Sequence, residues 1–347
     1  MDFPEIHVFD GSTEEADAGE RLARTLSELE IAAPFVVASV HGKILAEKVP
    51  AGDGATVVPI PGADQSWAVE VGARAQRMGA DAIVAIGGGR CLDVAKLAAG
   101  RAGLTVVTVP TQLSHDGICS PVAVVPNDAG RPESVGAVAP RAVFVSLPTL
   151  VDAPTASAAA GIGDLLANPL ALRDWSLAVE RGIDEADERA WEMSAESFAL
   201  IEPFLDADPG RSATDPAFLK TLADALVLSG MAMIQAGTSR PASGGEHEIS
   251  HAIDELFGGR ALHGAQVAFG CIVSVHLYGE DHRLLRERLR RLGLPQHPAD
   301  LGLSKDDAIR VLLHAPETRP GRYTVIEAAG LDGSSARRIV DELWDEP

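Results

Sequence analysis

The chain has 347 residues, 46% hydrophobic but only 4% aromatic, and a formal charge of −21 at pH 7. This charge disfavours nucleic acid and anionic membrane as partners, because either demands a concentrated basic face. The length suits two domains with cores of Ala, Val, Leu and Ile. Cys91, Cys119 and Cys271 lack the spacing of a disulfide framework or zinc knuckle and fit a reducing cytoplasm. The acidic N-terminus has no apolar stretch of signal-peptide type, and no long uncharged apolar run predicts membrane insertion. A homo-oligomer stays open.

Ala18–Leu29 carries apolar residues at helical spacing, and Pro34 opens an apolar run, Pro34–Val40, that reads as a buried strand. Strand signals recur at Ala55–Ile60, Asp81–Ile86 and Thr105–Val109, with a helix over Ser66–Met78. This alternation predicts a Rossmann-like α/β unit with a parallel sheet. Asp81–Ile86 runs into Gly87-Gly88-Gly89-Arg90-Cys91-Leu92-Asp93 and then a helical stretch. Glycines admit a ligand close to the backbone, and unpaired amides of the following helical turn attract phosphate, so the unit suits a dinucleotide pyrophosphate. A tight structural turn would use the same residues. Beyond Thr105–Val109, Thr111, Ser114 and Ser120 offer hydroxyls to a cofactor and Asp116 a carboxylate to a substrate hydroxyl, or Asp116-Gly117 closes an ordinary turn. Pro121–Val125 and Ala142–Leu147 read as strands, with Asn127–Gly130 as a hairpin-like turn between them. From Thr155 the pattern is helical. A boundary near Leu150–Pro154 therefore separates an α/β domain, residues 1–150, from an all-helical domain, residues 151–347.

Chemistry concentrates between Ser239 and Gly264. His247, Glu248 and His251 spell H-E-x-x-H, the zinc-peptidase helix, but Asp254 and Phe257 occupy the glycine and third-histidine places of its extended form. His247 and His251 lie about 40° apart on one helical face. Gly258-Gly259 ends that helix and lets His263 return to the same region. Asp164, in a stretch that reads as a helix start with Asn168 on the same face, either answers the helix dipole or faces a cation. Two imidazoles and one carboxylate make an open zinc-type site able to polarise a carbonyl or alkoxide. His276, His282, His297 and His314 read as ordinary surface or core residues.

Gly87 through Asp93 with Lys96, Pro110-Thr111 with Ser114-His115-Asp116-Gly117, Gly163-Asp164, Ser239 through His247, and Leu262-His263-Gly264 together span about half the chain in order. They resemble the glycerol-1-phosphate dehydrogenases, a branch of the iron-containing alcohol dehydrogenase and dehydroquinate synthase-like superfamily. The resemblance implies a dehydroquinate synthase-like architecture: the first domain binds NAD or NADP, the helical one a divalent metal, and substrate lies between. It implies Asp164, His247 and His263 as ligands to zinc, with nickel or iron accepted by the same set. Asp116 and His251 then contact substrate. Gly87, Gly88, Gly89, Arg90, Cys91, Leu92, Asp93, Thr111, Ser114 and Ser120 serve the cofactor. The implied reaction is reversible reduction of dihydroxyacetone phosphate to sn-glycerol 1-phosphate, with His251 exchanging the proton. Arg240, Arg319 and Arg322 are candidates for the phosphate. Gln112-Leu113 replaces two small residues expected in the Thr111 loop, which keeps open another phosphorylated or phosphonylated carbonyl, or a polyol or aldehyde. A metallopeptidase and a non-catalytic interaction module are the remaining readings.

Overall fold

The apolar runs of the first half become strands in the computed structural model, which describes residues 3–11, 17–49, 56–57, 63–206 and 214–344. These are β1 (Glu5–Phe9), β2 (Pro34–Ala38), β3 (Thr56–Val57), β4 (Ala82–Gly87), β5 (Thr105–Pro110), β6 (Val122–Pro126), β7 (Pro132–Gly136) and β8 (Ala142–Ser146). Six of them form a sheet of order β1-β8-β5-β4-β2-β3, every pairing parallel. A parallel sheet is covered on both faces, which is why β2 and β4 are buried along their whole length. Alternate residues face opposite layers. Phe35 and Val37 join the helices Gln65–Arg77 and Gly89–Ala102, while Val36 and Ala38 pack with Leu22 and Leu26 of the helix Ala18–Glu28. Of the expected strand Ala55–Ile60, only Thr56–Val57 falls among the described residues, where it pairs with β2.

One expected pairing is different. The Asn127–Gly130 turn closes a hairpin, but its second strand is β7, whereas Ala142–Ser146 lies in the parallel sheet between β1 and β5. The run Pro-Glu-Ser-Val-Gly is too polar to signal a strand. It is held by its antiparallel ladder with β6, and it stays partly exposed.

Beyond β8 the described chain is helical. The helix Pro216–Ala236 is long and apolar enough to cross a membrane by length and composition, although it carries Lys220 and Asp224; 67% of its most apolar window is buried inside the protein, where it packs with the helix Glu188–Ile201. The main hydrophobic cluster runs without a break from Phe35 in the sheet to Trp344 in the last helix. Sheet and helices thus share one core. All three cysteines are free and buried.

Candidate active site and metal centre

Three helices, Thr155–Leu165, Gly245–Phe257 and His263–Leu277, cross at backbone contact. A Cβ on Gly163 would strike the Gly264 carbonyl, and one on Gly270 would strike the backbone of Glu246. Only glycine permits that approach. The crossing gathers Asp164, His247 and His263, whose donor atoms all lie within 4.8 Å of one another. Asp164 Oδ1 is 3.8 Å from His247 Nε2 and 3.9 Å from His263 Nε2. These separations are too long for hydrogen bonds and shorter than the ~4.2 Å that two metal–ligand bonds span end to end. Oδ1 is also buried without a hydrogen-bond partner. An orphaned carboxylate oxygen facing two imidazole nitrogens fits a divalent cation.

Asp164 does not start a helix. It is the penultimate residue of Thr155–Leu165, where the macrodipole opposes a carboxylate instead of favouring it. Burial, with Asp116 nearby, pushes its carboxyl well above the usual range. A cation offsets both penalties. Asn168 turns away from it, donating to Ser197 Oγ at 2.6 Å and Ser229 Oγ at 3.2 Å.

The three donors are held from behind. His247 Nδ1 lies 3.0 Å from Glu246 Oε1, which also accepts the Gly244 amide at 2.6 Å and so turns His247 Nε2 toward Asp164. The second oxygen of Asp164 accepts the Asp116 amide at 2.9 Å. Burial, more than any neighbouring charge, holds the pKa of His247 and His263 well below the usual imidazole value, leaving the neutral form a metal requires. Gly258 and Gly259, with φ of 78° and 77°, reverse the chain. Gln266 then clamps the loop, accepting the Arg260 amide at 2.6 Å and donating to Asp254 Oδ1 at 2.9 Å. Replacing Glu246 by Gln is expected to lower zinc affinity roughly 10–100-fold, measured by chelator competition, with the circular dichroism spectrum unchanged.

His251 stands beside this centre, its ring 6.0 Å from that of His263 and 6.3 Å from that of His247. It lies outside that donor cluster, and its Nε2 accepts from Arg319 Nη2 at 2.8 Å. Asp116 opens a short 3-10 turn, and its carboxylate accepts from Ser229 Oγ at 3.0 Å. Glu248 is fully buried and accepts from Thr324 Oγ at 2.9 Å; burial and then Glu327 push its carboxyl up to about 9. A carboxylic acid kept protonated and turned to Thr324 cannot serve as a peptidase base. Arg240 is committed elsewhere, to Asp184 at 2.6 Å and the Tyr323 carbonyl at 2.9 Å, so its part in phosphate binding is corrected to a structural one. Arg319 and Arg322 instead converge on Ser239 Oγ at 2.8 and 2.9 Å.

A cleft of about 910 Å³ leads from Ser39 and Lys48, past the glycine turn, to Ser114, His115 and His263. Gly88, Gly89, Arg90, Cys91, Asp93, Thr111 and Ser114 line it. The amides of Gly89 and Arg90 precede the first intrahelical bonds and are free to meet an anion. Gly87, Leu92 and Ser120 lie off the cleft. Gly87 ends β4, Leu92 is buried in the core, and the Ser120 carbonyl accepts from Lys96. The Cys91 thiol is tied to the carbonyls of Val37 and Ile86, and burial raises its pKa to about 12.

Residues 1–154 match the family model for iron-containing alcohol dehydrogenase. A glycerol-1-phosphate dehydrogenase, NAD(P)+, of Hyperthermus butylicus is 38% identical over 257 residues, covering 74% of this chain and 72% of that protein. The chain belongs to the glycerol-1-phosphate dehydrogenase family. A relative of the same name from Saccharolobus islandicus is 35% identical with 90% of each chain covered. The solved structure of a probable glycerol dehydrogenase from Sinorhizobium meliloti has the same fold, with TM-score 0.79, 24% identity, and 98% of this chain and 96% of that one covered.

Within this member of the family, one cleft residue had no role in the sequence reading. His115 packs edge-on to His263 with ring centroids 5.8 Å apart, and its ring occupies the space a side chain at Gly89 would need. Its signal was its place inside the Ser114–Gly117 motif. Gln112 lies over Gly88 while Leu113 is buried in the core, so of the unusual Gln112-Leu113 pair only Gln112 meets the cleft, at its glycine-turn end.

Proposed function

We propose that the protein is a metal- and NAD(P)-dependent dehydrogenase that interconverts dihydroxyacetone phosphate and sn-glycerol 1-phosphate. The observation that carries this reading is the Asp164–His247–His263 donor set at one end of a cleft whose wall is a glycine turn and helix N-terminus. The residues to 150 hold cofactor, and the helical remainder holds metal and substrate. A divalent cation held by Asp164, His247 and His263, zinc in the first instance with nickel and iron as chemical equivalents, supplies Lewis-acid polarisation of the substrate oxygen. The nicotinamide supplies the hydride.

The chain's residues do the rest. The Gly89 and Arg90 amides take the cofactor pyrophosphate, with Thr111 and Ser114 beside it. Asp116, steadied by Ser229, accepts a substrate hydroxyl. Arg319 and Arg322 bind the phosphate. In reduction the carbonyl carbon gains hydride and its oxygen gains one proton through His251; oxidation reverses both transfers. Three buried, unpaired thiols suit a reducing compartment. The test is incubation of the metal-loaded protein with dihydroxyacetone phosphate and NADH or NADPH, following absorbance of the reduced cofactor. Turnover with at least one is expected, and none with either overturns the proposal.

A further inference from the structure

Arg319 Nη2 lies 2.8 Å from His251 Nε2, and its Nη1 lies 2.8 Å from Ser239 Oγ. A guanidinium only donates, so Nε2 must be the unprotonated ring nitrogen and Nδ1 must carry the hydrogen. Held this way, the ring has no free lone pair. Nor can it carry a second proton, because Nε2–H would then face another donor. The ring nevertheless sits beside the metal donors, where substrate oxygen must exchange a proton. Any proton duty for His251 therefore requires Arg319 to let go.

The two arginines lack an anion in direct contact, Glu248 and Glu246 acting on them only at longer range. Both are half-buried, and their hydrogen-bond acceptors are the Ser239 hydroxyl, the Ser243 carbonyl and His251, all neutral. Among the described residues no carboxylate oxygen lies within 4.0 Å of either guanidinium. Burial lowers the pKa of both, Arg322 to about 9. A phosphate dianion is a far better acceptor for a guanidinium than a neutral imidazole is.

We propose that Arg319 determines specificity by masking His251: a phosphoryl group bound by Arg319 and Arg322 draws the Arg319 guanidinium off Nε2 and frees that nitrogen for proton exchange. This rests on the dehydrogenase reading above and deepens it. The phosphate then acts as a key as well as an anchor. An unphosphorylated triol leaves the mask in place and reacts slowly even when it fits the cleft.

The test uses zinc-loaded protein, glycerol with NAD(P)+, and inorganic phosphate as the probe. Phosphate is expected to accelerate glycerol oxidation saturably by about tenfold or more, part of the 10²–10⁴-fold range of proton-transfer catalysis. Arg319→Ala is expected to raise glycerol oxidation without phosphate, to abolish the activation, and to lose turnover of glycerol 1-phosphate. Nitrogen-15 spectra of the histidine side chains give a readout independent of turnover. Phosphate should move the His251 Nε2 resonance, assigned by its loss in His251→Asn, toward the position of a free ring nitrogen, and in Arg319→Ala it should already be there. A resonance unmoved by phosphate overturns the inference. So does an Arg319→Ala protein that loses only glycerol 1-phosphate turnover, which makes Arg319 a plain phosphate ligand, or one that loses both activities alike, which makes it structural. Failure of the wild-type protein to oxidise glycerol 1-phosphate overturns the dehydrogenase reading instead, and the spectra still decide the Arg319–His251 link.

Discussion

Replacing His263 by alanine is expected to strip the protein of its metal and to lower dihydroxyacetone phosphate reduction by about 10³-fold or more, since Lewis-acid stabilisation contributes several kcal/mol. Metal content after dialysis, read by elemental mass spectrometry, and turnover check the two halves of this result. His251→Ala is expected to keep the metal and lose roughly 10²–10⁴-fold in turnover, the usual contribution of a proton-transfer group. A peptidase built on H-E-x-x-H expects the reverse order, with metal lost at His251 and kept at His263. The geometry favours the first outcome because Asp164 Oδ1 faces His247 and His263, while His251 is bonded to Arg319.

Replacing Lys96 by methionine is expected to lower stability by about 3–5 kcal/mol, the range for breaking a buried ion pair from one side. Lys96 Nζ is fully buried, 3.0 Å from Asp93 Oδ1, and it donates to the carbonyls of Gly117 at 2.7 Å, Ser120 at 3.1 Å and Val122 at 2.5 Å. One ammonium thus pins the loop from Asp116 to β6 against the helix that follows the glycine turn. Methionine fills the volume but leaves a buried carboxylate and three carbonyls without that donor. Denaturant unfolding measures the stability. Cofactor affinity should fall as well, because Asp93, Thr111 and Ser114 share the cleft wall that this loop supports. A Lys96→Met protein as stable as the wild type would show that water or rearranged neighbours satisfy those groups.

The sequence by itself determined the strands β2, β4 and β5, the glycine turn, and the two-glycine reversal before His263. Each depends on local rules: apolar runs seek burial, glycine takes positive φ, and a four-residue helical spacing puts His247 and His251 on one face. The pairing of β6 with β7 was not legible, because Pro132–Gly136 is stabilised by its ladder rather than by its own apolar pattern. Nor was the position of Asp164 at a helix end, since helix starts and ends are set by which side chains the neighbouring helices can bury.

The family resemblance implied different duties for the three histidines between Ser239 and Gly264, but their spacing did not, and the partners that set them apart are brought only by tertiary structure. Backbone contact at Gly163, Gly264 and Gly270 brings Asp164 across nearly a hundred residues to His247 and His263. Arg319, from a segment far along the chain, claims His251. Spacing along one helix states which imidazoles share a face. Which of them meets a carboxylate and which meets a guanidinium depends on partners that other helices deliver.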